Sequence, residues 1–491
     1  MRKLLSLILL SLALHSQSFA QQDSVYLLDL QECVRIALEN NLSIQRSVLF
    51  RENARVNMDQ SRASQLPNVN LGGSYGYNWG RSIDPTSNQF ITQQINFTGL
   101  NGNANMVLFN WFRLANTVKQ NQLILESTEF DEDKAKNDIS LNIATFYLNV
   151  IFNKELVDNA NFQIENSRKQ LERTKKLVAS GSLARTSELE LISQVASNEV
   201  NLITAQNNLD LALLNLKQGM MLPATQKIDI VIPDIDMDGG GMILPPVSEV
   251  YSAALDNMPE IKSAELMVQS AEMGIDVAKS GYTPTISLNA GFSTNYSNAF
   301  KEYRIDADNP YTFNTDANGD VITTPTFYRT TTGLEGIEQL SVIPNGTFST
   351  VGFSTQFKNN LSKQLSMNLS IPIFNNLRNS SNVQRQKIAL RQAEINVLEQ
   401  QNFLRQTVET AHNDANAAAK VYSASQKQVD ALVETFRSIE NQYNFGAANF
   451  TEYQVASNNL FGAKSDLVRA KYDYIFKTKI LDFYLGKTLS F

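Results

Sequence analysis

The sequence predicts a mainly α-helical chain with a transmembrane β-barrel contribution, built by using one unit of strands and a long helical hairpin twice. Three observations predict it: an internal duplication, helical stretches far longer than a globular helix, and short segments of strict apolar–polar alternation.

The duplication comes first. Residues 37–44 (Ala-Leu-Glu-Asn-Asn-Leu-Ser-Ile) return as residues 254–261 (Ala-Leu-Asp-Asn-Met-Pro-Glu-Ile), 217 positions later. The same shift carries Pro67 to Pro284, Leu71 to Leu288 and Tyr75 to Phe292. Farther along the shift is 265: Phe109, Asn110 and Arg113 return as Phe374, Asn375 and Arg378, and Gly181 returns as Gly446. The difference of 48 residues falls between Pro284 and Phe374. Rods that must hold register cannot absorb such an insertion, whereas a surface loop can.

The rods read as helices. From Leu114 to Val178 there is no Gly or Pro, and good helix formers dominate. Leu156, Ala160, Ile164, Leu171 and Val178 share one stripe. Val429, Leu432, Val433, Phe436, Ile439 and Tyr443 repeat it in the second half. At 1.5 Å per residue the first rod is about 95 Å long. Gly181 and Gly446 mark turns, after which periodicity resumes through Val195, Leu202, Leu209, Leu213 and Leu216. Each half therefore ends in a long antiparallel α-hairpin. For the rods alone, a soluble coiled coil is an equal reading.

The segments between the rods decide against it. Val69, Leu71, Tyr75, Tyr77 and Trp79 alternate with Asn68, Asn70, Ser74 and Asn78. Ile286, Leu288, Ala290, Phe292 and Tyr296 repeat that phase. Leu365, Met367, Leu369, Ile371 and Ile373 alternate with Ser366, Asn368 and Ser370, and a weaker copy runs through Leu100, Ala104, Met106 and Leu108. Period-2 segments of roughly ten residues with aromatics on the apolar face are what a transmembrane barrel requires. Four strands cannot close one, so copies must associate. Two copies give eight strands, three give twelve; an eight-stranded barrel is filled by its own side chains, so a conducting one needs three or more.

Composition narrows the function. Arg2 and Lys3, the apolar run Leu4 to Leu14 and the small residues Ser18 and Ala20 read as a secretory leader of residues 1–20. The run is too short to span a bilayer, and nothing later is long and apolar enough to replace it. Membrane insertion then requires a closed barrel. The formal charge of −7, more negative once the leader is removed, argues against nucleic acid as partner. One Cys (Cys33) and two His (His15, His412) are a poor supply for a metal centre or a Cys–His pair, so no cofactor, metal or catalytic residue is expected. The loop from Asp316 to Asp320 departs from the calcium-loop spacing, and Asn318-Gly319 reads as a hairpin turn. His412, among Asn, Asp and Ala, reads as a solvated or hydrogen-bonded surface residue.

At this point the residues resemble a family. Residues 28–41, with Asp29 and Glu32 placed for a capping box, are similar to the start of TolC-like outer-membrane efflux proteins. So are the strand-to-helix corners at residues 109–113 and 374–378 and the glycine tips ending at Gly181 and Gly446. The resemblance runs from about Leu28 to Gly486, twice over. It implies a homotrimer, a 12-stranded barrel in outer-membrane lipid and a periplasmic α-helical tunnel. It also implies a passive conduit, for efflux or type I secretion, loaded by an inner-membrane pump through a periplasmic adaptor.

The resemblance also implies a gate at the hairpin tips, with Tyr443, Glu452, Ser187 and Glu188 as candidates. The family's second gate acid falls on Val455 and its arginine on Ala448, so a doubled acidic constriction is not expected. Tyr443 and Glu452 read equally well as helix-surface residues. The organisation expected is leader 1–20, first repeat 21–219, linker 220–247 and second repeat 248–491, with an extracellular insertion at about 298–349. Ile228, Ile230 and Ile232 suggest a short strand in the linker. The competing reading is a non-conducting coiled-coil tether; a carboxylate-based hydrolase comes last, for want of a cleft-forming α/β pattern.

Overall fold

The structure, a computed structural model, describes residues 26–83, 89–223, 225–232, 244–330 and 333–487. The expected leader, the linker glycines 239–241 and the terminal Phe491 lie outside the described residues. The first repeat contains β1 (Tyr26–Leu28), α1 (Leu30–Asn40), α2 (Leu42–Ala63), β2 (Asn68–Ile83), β3 (Phe90–Phe109), α3 (Arg113–Ala179) and α4 (Arg185–Gly219). After β4 (Ile228–Ile230) the second repeat follows with α5 (Val247–Asn257), α6 (Pro259–Lys279) and β5 (Thr285–Ser297). The insertion supplies β6 (Lys301–Ile305), β7 (Tyr311–Phe313), β8 (Thr323–Thr330), β9 (Gly333–Leu340), β10 (Val342–Pro344), β11 (Gly346–Thr350) and α7 (Phe353–Asn359). The chain closes with β12 (Ser362–Ser370), α8 (Arg378–Asn444) and α9 (Phe450–Tyr484). Both rods have 67 residues and both return helices have 35. The duplication expected from sequence is therefore kept residue for residue in the hairpins.

The chain divides into two compact units, one made of residues 59–118 and 276–383, the other of the remainder. In the larger unit the duplication reaches the core. Cys33 and Ala37 of α1 are buried in one cluster with Ile143, Tyr147 and Val150 of α3 and with Leu216 of α4. Val250 and Ala254 of α5 are buried in another, with Val408 and Ala415 of α8 and Leu481 of α9. All but Tyr147, whose counterpart is His412, correspond by the two sequence shifts, so the same packing problem is solved twice. The first cluster is larger because β4 joins it through Ile228 and Ile230, paired in parallel with β1. The Tyr147 hydroxyl donates to the Val231 carbonyl, and Lys154 reaches both Asp229 carboxylate oxygens at 2.9 and 3.0 Å. These bonds hold the linker strand to the rod. The linker strand was expected; its partner Tyr26–Leu28 was not, because three residues are too few to show a period.

One local expectation changes and one is narrowed. Asp29 caps α1, accepting from the Glu32 N–H at 2.7 Å. Glu32 does not complete the capping box, because its carboxylate is taken by the Arg35 guanidinium, one bond of which is 2.9 Å. A charge-assisted pair outcompetes a neutral backbone donor. Of the two readings of His412 the hydrogen-bonded one holds: the side chain is half-buried, with its Nε2 3.0 Å from the Pro245 carbonyl.

In the smaller unit the four predicted strands form one antiparallel sheet in the order β12–β5–β3–β2. Register matches the predicted phase: Leu71 lies opposite Gly102, Gly102 opposite Phe292 and Phe292 opposite Lys363. The register of β3 on β5 shifts between Val107 and Phe109, which takes Leu108 out of the alternating face where the sequence put it. Ile371 and Ile373, expected within this strand, lie beyond its observed end at Ser370. The insertion, expected as a variable loop, pairs with itself: β6 with β11, β7 with β10 and β8 with β9. The Asp316–Asp320 turn within it has Gly319 at φ 88° and its N–H on the Asp316 carbonyl at 3.0 Å, as the hairpin reading required.

Each strand-to-helix corner bends through two left-handed residues. Trp111 and Phe112 have φ of 53° and 61°; Asn376 and Leu377, their repeats, have the same values. For side chains of this size that conformation costs about 1–2 kcal/mol per residue, and both copies keep it. The bend turns the backbone sharply from strand to helix with only three residues between β3 and α3.

Burial sets a first prediction. Burial pushes the Cys33 thiol up to about 12, with the Asp29 and Glu32 carboxylates adding to it. Cys33 will thus resist maleimide at pH 7–8 in the folded protein and react fully in denaturant. Mass spectrometry of the adduct checks this; rapid native labelling would show that α1 opens. Leu481→Ala, at a fully buried site, is expected to lower stability by about 2–5 kcal/mol, measured by denaturant or thermal unfolding.

Candidate functional site

Two surfaces carry the functional expectations: the hairpin tips in the larger unit and the sheet faces in the smaller one. At the first tip Gly181 adopts φ 76°, and the Ser182 N–H closes on the Leu177 carbonyl at 2.8 Å. At the second, Gly446 adopts φ 75°, and Ala447 closes on Gln442 at 2.8 Å. A Cβ-bearing residue is strained there, which explains a glycine at each turn.

Beyond the turns the tips differ. Asn449 caps α9: its side chain accepts from the Glu452 N–H at 2.9 Å, and the Glu452 carboxylate accepts from the Asn449 N–H at 3.1 Å. Glu452 is thus exposed, fixed in rotamer, and set where the positive helix end stabilises its charge. The equivalent positions at the first tip are Ala184 and Ser187, and α4 begins without a side-chain cap. Ser187 is half-buried there, while Glu188 is buried and ion-paired with Arg185. Tyr443 stacks on Tyr453 with ring centroids 5.0 Å apart, and Phe450 lies 6.3 Å from it. Burial raises the Tyr453 hydroxyl to about 12, with Glu440 and Tyr443 adding to the rise. Among the described residues no hydrogen bond or ion pair joins Tyr443, Glu452, Ser187 and Glu188 to one another. Val455 is exposed and Ala448 half-buried.

What joins the two hairpins at this end is a contact that sequence reasoning missed. The Arg173 guanidinium of α3 donates to the Asn444 side-chain carbonyl at the end of α8. Farther along, amides replace an apolar seam: Asn198 donates to Ser167 at 2.6 Å, and Asn159 donates to Ser465 at 2.8 Å. A groove of about 470 Å³ runs here, lined by Asn159, Gln163, Asn198, Asn201, Asn208 and Asn458 among others. Polar residues on a long helix look the same in sequence whether they face water or each other, so no signal marked these.

The sheet has two unlike faces. One carries Val69, Leu71, Tyr75 and Trp79 of β2, Leu288 and Phe292 of β5, and Leu365, Met367 and Leu369 of β12. All but the half-buried Leu288 are large and exposed: Trp79 is 69% and Leu365 73% accessible. The Phe292 ring lies over Gly102, where an added Cβ would meet it at 2.4 Å. The opposite face reads Asn68, Asn70, Gly72, Ser74 and Asn78, then Asn101, Asn103 and Asn105, then Ser287, Asn289, Ser293 and Asn295, then Gln364, Ser366 and Asn368. No described residue of that face is charged. The outer edges of β2 and β12 carry no partner strand among the described residues.

Nothing here assembles chemistry. Among the described residues no group of three or more His, Cys, Asp or Glu could hold a metal ion, and no helix is long and apolar enough to cross a membrane.

Comparison with known proteins fits these surfaces. The family model described as "Outer membrane efflux protein" matches residues 33–220 and 339–487. The chain is 22% identical to outer membrane protein TolC of Escherichia coli K12 over 478 residues, covering 97% of this chain and 84% of TolC. It is 22% identical to the cation efflux system protein CusC of Escherichia coli O157:H7, covering 89% and 81%. Its fold matches the crystal structure of the outer membrane protein VceC of Vibrio cholerae with a TM-score of 0.68 at 14% identity, covering 94% of this chain and 97% of that one. The family match spans well over half of the chain; this protein therefore belongs to the outer membrane efflux protein family, as an outer-membrane channel protein and not an enzyme.

Proposed function

We propose that three copies of this chain close a 12-stranded barrel in the outer membrane and form a passive conduit for efflux or secretion. The observation that carries it is the sheet: one apolar face, one uncharged polar face and two open edges. An exposed apolar face of this size is unfavourable in water and favoured against lipid, provided that every edge is paired. Joining β12 of one copy to β2 of the next satisfies both edges by one repeated contact, which closes as a ring. Twelve strands leave a lumen, and it is lined by the Asn, Ser and Gly face. That lining offers hydrogen bonds without a fixed charge, so the barrel section would pass cargo of either sign.

The rods, about 100 Å each at 1.5 Å per residue, suit a tunnel through the periplasm. Their remaining exposed apolar residues, among them Val200, Ile203 and Leu211 on α4, suit packing between copies and against an adaptor. Energy would come from an inner-membrane pump. The chain itself holds no group that could supply it.

The tips would be the gate. Arg173–Asn444 ties one hairpin to the other within a protomer, and a ring of Glu452 carboxylates would attract cations at the narrowest point. Glu452 also caps α9, so alanine would confuse the two roles. Glutamine separates them, because it keeps the capping box and removes the charge.

Planar-bilayer conductance of the purified oligomer tests this. Wild type should give small, stable, cation-preferring openings. Glu452→Gln should reduce the cation preference several-fold without changing the unfolding midpoint. An unchanged reversal potential would leave Glu452 as a cap only. Arg173→Ala should raise conductance or opening frequency several-fold by freeing the hairpins. Silence from a detergent-stable Arg173→Ala oligomer would overturn the conduit and favour a tether.

A further inference from the structure

We infer that the inserted β-ribbon is an interlock between copies of this chain, seated on the β2–β3 tip of the neighbouring copy. The inference rests on the ring closure proposed above and adds a second contact to it.

The ribbon is firmly rooted. Gln356 of α7 is 2% exposed, and its side-chain carbonyl accepts from the Ser297 N–H at 3.0 Å. Its amide donates to the Ser297 and Val351 carbonyls at 2.9 and 2.7 Å. One side chain thus clamps the strand leaving β5 to the strand returning from β11. The Asn298 side-chain carbonyl accepts from the Asn96 N–H at 2.9 Å, and the Asn298 N–H donates to the Asn96 carbonyl at 3.2 Å, tying the root to β3. Asn360 donates to the Asn295 carbonyl at 2.8 Å.

Above this root the ribbon is only two strands wide, and two strands with no cover are marginal in water. Tyr303 and Phe348 face each other across β6–β11 with rings 5.2 Å apart, and Ile305 follows on the same face. Tyr311, Phe313 and Val342 continue the apolar spacing on β7–β10. All six are exposed, by 42–60%. Polar loops do not need such residues; a covered face does.

Sheet order sets two β2–β3 tips near the ribbon, that of its own copy through β3 and that of the next copy through β12; its own tip leaves the apolar face exposed, so the neighbour's is the cover. β3 pairs with β5 only as far as Phe97 opposite Ser297, whereas β2 and β3 run on together to Ile83 opposite Phe90. The β2–β3 tip and the ribbon therefore leave the sheet at the same end. β2 is one edge strand, and the ribbon springs from the strand next to the other edge. When β12 of one copy meets β2 of the next, the tip of the second copy is brought beside the ribbon of the first. That tip exposes Trp79, Ile83 and Phe90. Charge agrees: residues 301–350 carry seven acidic and three basic side chains, whereas Arg81 is the sole charge in β2 and β3.

The test is cross-linking of the full-length detergent-solubilised oligomer with a short bis-maleimide, in which the buried Cys33 is silent. Phe348→Cys combined with Phe90→Cys should give covalent dimers and trimers, with neither single variant doing so. Ser366→Cys with Ser74→Cys, on the two sheet edges, reports ring closure independently. Edge cross-links without ribbon cross-links would overturn the interlock and leave the ring intact. Absence of both sets would overturn the ring together with the interlock. As a second measurement, replacing residues 301–350 by a short turn should preserve edge cross-linking but lower the temperature at which the oligomer dissociates. An unchanged dissociation temperature would count against the interlock.

Discussion

The rest of this structure depends on the alternation of side chains along four β-strands. A strand sends successive residues to opposite faces, so a two-residue period sorts large apolar groups to one side and Asn, Ser and Gly to the other. The faces then have incompatible solvents. Lipid suits one and water the other, and only a closed ring lets both be satisfied with every backbone group paired. The proposed association of copies rests on this constraint. The polar face carries no charge among the described residues.

The helical part answers a different constraint. A rod of 67 residues cannot bury itself, and its two largest core clusters lie where α1 and α5 add a third layer. There Cys33 and Ala37, and Val250 and Ala254, solve one packing problem twice. Away from that zone buried apolar residues such as Ile164, Leu191 and Phe461 are accompanied by polar links, Asn198–Ser167, Asn159–Ser465 and Arg173–Asn444. Polar links of this kind are worth about 0.5–1.5 kcal/mol each, little enough to be broken and remade. The tip residues Tyr443 and Glu452 are likewise tied within their own hairpin, through Tyr453 and Asn449, and not to the other hairpin.

The sequence by itself determined the duplication, the glycine turns, the rods and the phase of the four strands. Each is written in a period or a shift that survives without knowing any contact: Gly181 and Gly446 stand 265 apart because the hairpins have equal lengths. It also determined that Asn318-Gly319 turns. Only the tertiary structure decided what depends on partners distant in sequence. Glu32 leaves its cap for Arg35, and Leu108 is displaced where the β3 register shifts. The β1–β4 pair forms although neither strand is long enough to announce itself, and the insertion becomes a ribbon because Gln356 closes its root. Local periodicity reports how a residue faces its own element; which element lies opposite is set by packing, and that was visible only once the chain was folded.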